Sequence, residues 1–109
     1  MSDDFTKFAA KTDIAEGTAK VFTVDGVRIA VCNVAGKCYA IEDVCTHDNA
    51  PLGAGELVDD QIECPRHGAR FDVTSGKAMC LPAVKPVKTF AMEEKDGNLF
   101  VDTKAAANK

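Results

Sequence analysis

Val21-Phe22-Thr23-Val24-Asp25-Gly26-Val27-Arg28-Ile29-Ala30-Val31 is two extended, β-branched runs on either side of an Asp-Gly step. Asp-Gly between such runs signals a type I′ hairpin, because both central residues need φ > 0. The same punctuation recurs along the chain. Ala35-Gly36 separates Val31–Val34 from Cys38–Ile41, and Asp59-Asp60 lies between Glu56–Val58 and Gln61–Cys64. Thr74-Ser75-Gly76 follows Phe71–Val73, and Asp96-Gly97 joins Val87–Glu94 to Leu99–Asp102. Extended runs about every 8–12 residues, separated by such turns, predict an all-β sandwich or small barrel. No apolar pattern of helical period is sustained, so little helix is expected.

Composition narrows the function classes. A chain of 109 residues, 46% hydrophobic and 28% charged, suits one globular domain with a single core. No apolar run approaches the roughly 18 residues needed to span a bilayer. The acidic start, Met1-Ser2-Asp3-Asp4, is unlike a secretory signal, so a soluble cytoplasmic protein is expected. The net charge of −4, without a basic run, argues against nucleic acid, whose phosphates require a cationic face. Five cysteines in such a chain point to ligands or buried thiols before disulfides. No Cys-x-x-Cys pair occurs, nor the cysteine strings of plant-type or bacterial ferredoxins.

The distribution of histidine is the sharpest functional signal. Both histidines stand beside a cysteine, in Cys45-Thr46-His47 and Cys64-Pro65-Arg66-His67-Gly68, with 16 residues between the pairs. Asp43–Gly55 carries the first pair with Pro51, Gly53 and Gly55 and no clean alternation, which predicts a loop excursion. Two loops that each present one thiolate and one imidazole could surround a small inorganic centre. Zinc accepts such a set, although structural zinc sites usually pair cysteine with cysteine. A 2Fe–2S cluster with two cysteines on one iron and two histidines on the other is the competing arrangement.

Cys-x-His followed by Cys-Pro-x-His-Gly resembles the Rieske motif, and the likeness runs from about Phe8 to Asp102. Lys11–Gly17 is similar to the family's N-terminal strand and turn. Leu52-x-x-Gly55, Phe71-Asp72-x-x-x-Gly76 and Leu81-Pro82-Ala83 match further family segments, the last being the loop that covers the cluster. The chain most resembles the small Rieske ferredoxins of bacterial aromatic-ring-hydroxylating dioxygenases. The resemblance implies three stacked antiparallel sheets, with a cluster-binding subdomain of two loops at one tip. It implies a single domain over 1–104, ligand loops at about 43–55 and 64–70, a covering loop at about 80–84, and a flexible tail over 105–109. It also implies one 2Fe–2S cluster, with Cys45 and Cys64 on the inner iron and His47 and His67 on the outer iron. Gly68, with Gly53 and Gly55, is expected to let backbone N–H groups approach the cluster.

Departures from the motif carry information as well. Rieske proteins of respiratory complexes have a disulfide between the two ligand loops, but Ala50 and Arg66 occupy those positions here. Those proteins also follow the second histidine with Gly-Ser-x-Tyr, whose hydroxyls donate to sulfur. This chain has Gly68-Ala69-Arg70-Phe71. Donors to sulfur favour the reduced state, which carries one more negative charge, so their loss lowers the potential. A value in the lower part of the Rieske span of about −150 to +300 mV is expected.

A mononuclear-iron oxygenase needs two further histidines and a carboxylate, and this chain has no third histidine. The resemblance therefore implies a one-electron carrier without catalytic residues. Its partners would be a flavin-dependent ferredoxin reductase and a terminal oxygenase, with the carrier acting as a monomer. The alternatives are a small Rieske-like subunit of an assimilatory nitrite reductase and a zinc-binding module. Cys32, Cys38 and Cys80 are expected to pack rather than work, as are Phe71 and Phe90. Asp48, Asn49, Pro51, Arg66 and Arg70 are candidates for a docking surface.

Overall fold

The computed structural model describes residues 5–44, 52–53, 55–64, 68–80 and 86–103. Their strands run β1 (Thr6–Ala10), β2 (Ala19–Val24), β3 (Val27–Val34), β4 (Lys37–Glu42), β5 (Glu56–Val58) and β6 (Gln61–Glu63). There follow β7 (Arg70–Asp72), β8 (Ala78–Cys80), β9 (Thr89–Phe90), β10 (Met92–Lys95) and β11 (Asn98–Val101). Three antiparallel sheets result, ordered β1-β11-β10, β2-β3-β4-β9 and β5-β6-β7-β8. The all-β reading and the three-sheet architecture hold. Among the described residues the helical content is one 3₁₀ turn, Lys11–Asp13. No described helix is long and apolar enough to cross a membrane.

Each two-residue turn sets the register of its hairpin. Val24 pairs with Val27 across Asp25-Gly26, whose φ values are 51° and 79°. Val34 pairs with Lys37 across Ala35-Gly36, and Lys95 pairs with Asn98 across Asp96-Gly97. Ala35 takes φ 52° without a side chain that favours it, and Asn33 supports the turn. Its Oδ1 accepts from the Gly36 N–H at 2.9 Å, while its Nδ2 donates to the Ile14 carbonyl at 2.8 Å. Asn33 is buried, so both ends of its amide need these partners.

The central strand β3 explains the layering. Its residues Ile29 to Asn33 are all buried, so period-2 alternation splits an apolar run between two cores. Ile29 and Val31, with Ala40, join Ile14, Val24, Phe90, Leu99 and Val101 on one side. Ala30, Cys32 and Ile41 join Leu52, Ile62, Cys64, Ala69, Phe71, Val73 and Val87 on the other. The second sheet is therefore the middle layer. Phe71 and Phe90 are core residues, as expected.

Two expectations need correction. The predicted strand Val87–Glu94 is broken: β9 pairs with β4, whereas β10 pairs with β11 in a different sheet. The chain changes sheets at Ala91, whose carbonyl accepts the Asp102 N–H at 3.1 Å. Lys11–Gly17, matched to an N-terminal strand and turn, is the 3₁₀ turn and the loop after it, and the strand itself precedes it as β1. Residues 104–109, which include the proposed tail, lie outside the described residues.

Cys32 faces Tyr39 and Cys38 faces Asn33, so the two thiols point to opposite sides of the sheet and serve packing. Both are free thiols. Burial, and then the nearby Cys38, push the Cys32 thiol up from 9.0 to about 12. An unfolded chain ionises this thiol above pH 9 while the folded chain keeps its proton, so stability falls as pH rises between those values. Denaturant unfolding across that window should lose about 1.4 kcal/mol per pH unit from this thiol. Cys32→Ala should flatten the slope, and an unaltered slope would refute the assignment.

Candidate metal centre

The first candidate segment begins where β4 ends. Asp43 extends the β3–β4 ladder by donating its N–H to the Arg28 carbonyl at 3.1 Å. Glu42 donates to the Lys88 carbonyl at 2.8 Å, which holds the start of the excursion beside its return. Cys45 and His47 lie outside the described residues, as do Asp48, Asn49, Ala50 and Pro51. Leu52 is wholly buried, and β5 follows it.

The second segment begins where β6 ends. Cys64 is a free thiol, 1% exposed, packed among the residues that fill the space between the second and third sheets. Its N–H donates to the Ala69 carbonyl at 2.7 Å, and its carbonyl accepts from Gly68 at 3.1 Å. Glu63 pairs with Arg70 just outside this turn. Gly68 has φ 74°, the left-handed conformation that costs a residue with a Cβ. His67, Pro65 and Arg66 lie outside the described residues.

The short β5–β6 hairpin brings the described flanks of the two segments together. Glu56 pairs with Glu63, so Gly55 approaches the strand end that leads into Cys64. A Cβ on Gly55 would stand 1.9 Å from the Glu63 carbonyl oxygen, a backbone atom that cannot step aside. A Cβ on Gly53 would stand 2.1 Å from Val21 Cγ2. These distances give Gly53 and Gly55 a packing reason of their own, beside the expectation that the glycines let backbone N–H groups approach the cluster. Gly53 N–H donates to Asp43 Oδ1 at 2.7 Å, Gly55 N–H to the Leu52 carbonyl at 2.8 Å, and Gly68 N–H to the Cys64 carbonyl. At Gly53 and Gly55 neighbouring atoms leave no room for a Cβ, and at Gly68 the left-handed φ disfavours one.

The third side of the tip is the β7–β8 turn. Gly76 donates to the Asp72 carbonyl at 2.6 Å, and its own carbonyl accepts from Val87 at 2.8 Å. Asp72 Oδ1 accepts from the N–H and hydroxyl of Thr74. Leu81, Pro82 and Ala83, assigned to the covering loop, lie outside the described residues. So does the side chain of Cys80. Arg70, a docking candidate, is within 3.5 Å of Glu63 Oε2 across the β6–β7 pair, so part of its charge is engaged within the sheet.

Among the described residues no three metal-ligating side chains meet, because Cys64 is the one predicted ligand that falls within them. Cys64 itself fits the role. It is a soft donor without a sulfur partner, at a strand end, with Gly68 and Ala69 as small neighbours.

Comparison with known proteins agrees with this geometry. Residues 4–91 match the Rieske [2Fe-2S] domain model, and the chain belongs to that family. It is 36% identical over 102 residues to the ferredoxin component of the naphthalene 1,2-dioxygenase system of Pseudomonas putida, covering 94% of this chain and 98% of that one. It is 44% identical over 91 residues to the 3-phenylpropionate/cinnamic acid dioxygenase ferredoxin subunit of Escherichia coli K12, covering 83% and 85%. The ferredoxin of carbazole 1,9a-dioxygenase from Nocardioides aromaticivorans IC177 superposes with a TM-score of 0.88 at 31% identity, over 92% of this chain and 98% of that one. A chain from a complex of reduced oxygenase and oxidized ferredoxin in carbazole 1,9a-dioxygenase superposes with a TM-score of 0.86 at 36% identity, over 99% and 97%. The protein accordingly carries one Rieske-type 2Fe–2S cluster and serves as an electron carrier rather than as an enzyme.

The packing at Gly55 has a measurable consequence. Gly55→Ala must displace the Glu63 backbone, and overpacking of this kind costs roughly 1–3 kcal/mol. Denaturant unfolding of the variant should show that loss, and wild-type stability would contradict the contact.

Proposed function

We propose that this chain carries single electrons from a flavin-dependent ferredoxin reductase to a terminal ring-hydroxylating dioxygenase, as a cytoplasmic monomer with no membrane or nucleic-acid partner. Cys45 and Cys64 bind one iron as thiolates, and His47 and His67 bind the other through imidazole nitrogens. When bound, the cluster accepts and returns one electron. The protein's part is to grip it, keep water away and present one edge to partners. Leu52, Phe71, Val73 and Val87 form the apolar floor beneath Cys64 and exclude water from that side.

The observation that carries the reading is the buried, free Cys64 thiol at the end of β6, inside a turn closed by Gly68 and Ala69. The ferredoxin relatives, matched over most of both chains, favour a carrier over a structural subunit of a larger enzyme.

Reduction with dithionite should produce a rhombic paramagnetic signal and bleach the visible absorption. Cys64→Ala should abolish both. A colourless wild-type protein, or a Cys64→Ala variant that keeps its colour, would refute the ligand set. Reduction by a flavin-dependent reductase, followed by reoxidation on mixing with an oxygenase, tests the partners.

Ala69 and Phe71 are fully buried in the same cluster of side chains as Cys64, and they stand where the Rieske proteins of respiratory complexes carry their serine and tyrosine hydroxyls. Ala69→Ser combined with Phe71→Tyr should raise the potential by tens of millivolts or more, within the roughly 450 mV that the Rieske span allows. Protein-film voltammetry measures it. An unchanged potential, with the hydroxyls bonded to sulfur, would defeat the account.

A further inference from the structure

Asp43 is a buried carboxylate that the motif does not include. It is 2% exposed, a position that a charge tolerates only when paired and hydrogen-bonded. Both oxygens are engaged. Oδ1 accepts from the Gly53 N–H at 2.7 Å, and Oδ2 accepts from the Arg28 guanidinium at 2.8 Å. The Asp43 N–H also donates to the Arg28 carbonyl, so residue 43 is fixed to β3 by backbone and side chain together.

Position gives this contact its meaning. Asp43 precedes Cys45 by two residues, and Gly53 follows His47 by six. One carboxylate therefore joins the two flanks of the segment that contains the first cysteine and histidine. Gly53 can approach only without a side chain, since a Cβ would meet Val21 Cγ2 at 2.1 Å and Asp43 Oδ1 at 3.2 Å. Arg28 is more than half exposed, so its charge serves mainly to hold the inner carboxylate in place.

We infer that Asp43 is a positioning residue for the cluster: its carboxylate fixes both flanks of the first ligand segment to the middle sheet and so governs how firmly the iron is retained. The inference rests on the ligand set proposed above. It differs from a simple charge effect in sign. Arg28 and Asp43 carry opposite charges, so removing each would move a purely electrostatic property in opposite directions. Loss of positioning acts in the same direction in both.

The test uses the holoprotein as purified, following bleaching of the visible absorption in the presence of an iron chelator and the paramagnetic line shape after reduction. Asp43→Ala should lose iron at least about tenfold faster than wild type, because the Gly53 N–H loses a charged acceptor, and its signal should broaden. Asp43→Asn keeps an oxygen for Gly53 and should stay within about threefold of wild type. Arg28→Ala should accelerate loss by about threefold, the scale of a half-exposed ion pair, and should lower the unfolding midpoint, because Asp43 is left buried without its counter-charge. Wild-type release from Asp43→Ala would overturn the inference, as would Asp43→Asn releasing as fast as the alanine variant. If Asp43→Ala fails to fold, Arg28→Ala decides, with release followed well below that variant's own unfolding midpoint: wild-type release overturns the inference, and faster release sustains it. A wild-type protein without a cluster would instead bring down the ligand set, and this inference with it.

Discussion

The structure depends on a register constraint: the chain entering β5 at Gly55 must arrive beside the strand end that leads into Cys64. The β5–β6 hairpin provides this with three residue pairs and a two-residue turn. Because side chains alternate along a strand, a slip of one residue would send Ile62 and Cys64 to the wrong face. Burial of Ile62, Cys64, Phe71 and Val73 in one core makes that slip costly. Gly55 reinforces the register from the other side, since its backbone fits against Glu63 with no space for a methyl group.

The middle sheet gives this small hairpin something rigid to lie on. β3 is apolar on both faces and pairs along nearly its whole length with β2 and β4. Its two faces feed two separate cores, one of which is the floor under Cys64. A three-stranded sheet then covers the other face. The two cores thus form a layered support, and Cys64 is embedded in one of them.

Much of this was legible in the residues. The Asp25-Gly26, Ala35-Gly36 and Asp96-Gly97 steps gave the correct hairpins, because a two-residue loop with both φ values positive leaves one register. The Cys-Pro-x-His-Gly string located the turn at Cys64. What escaped was tertiary. Val87–Glu94 reads as a continuous strand because local alternation carries no information about which sheet each half joins. The glycines at 53 and 55 read as room for backbone N–H groups beside the cluster, and their close packing against Val21 and Glu63 escaped because those neighbours come from other strands. Asp43 was overlooked because an acidic residue before a loop looks solvated. Yet the Ala35-Gly36 register already places Arg28 opposite it, a cross-strand pair of opposite charge that hairpin arithmetic could have exposed.

The way the tip joins the base has a consequence for how such proteins diversify. β4 and β9 are neighbours in the middle sheet, yet everything from β5 to β8 lies between them in the chain. The excursion leaves after Glu42 and returns at Lys88, where a 2.8 Å backbone bond holds its two ends together. An inserted unit with adjoining ends can be lengthened, shortened or exchanged while its host keeps the same pairing. One base can thereby host many versions of the redox tip, and the same tip can be carried into larger chains.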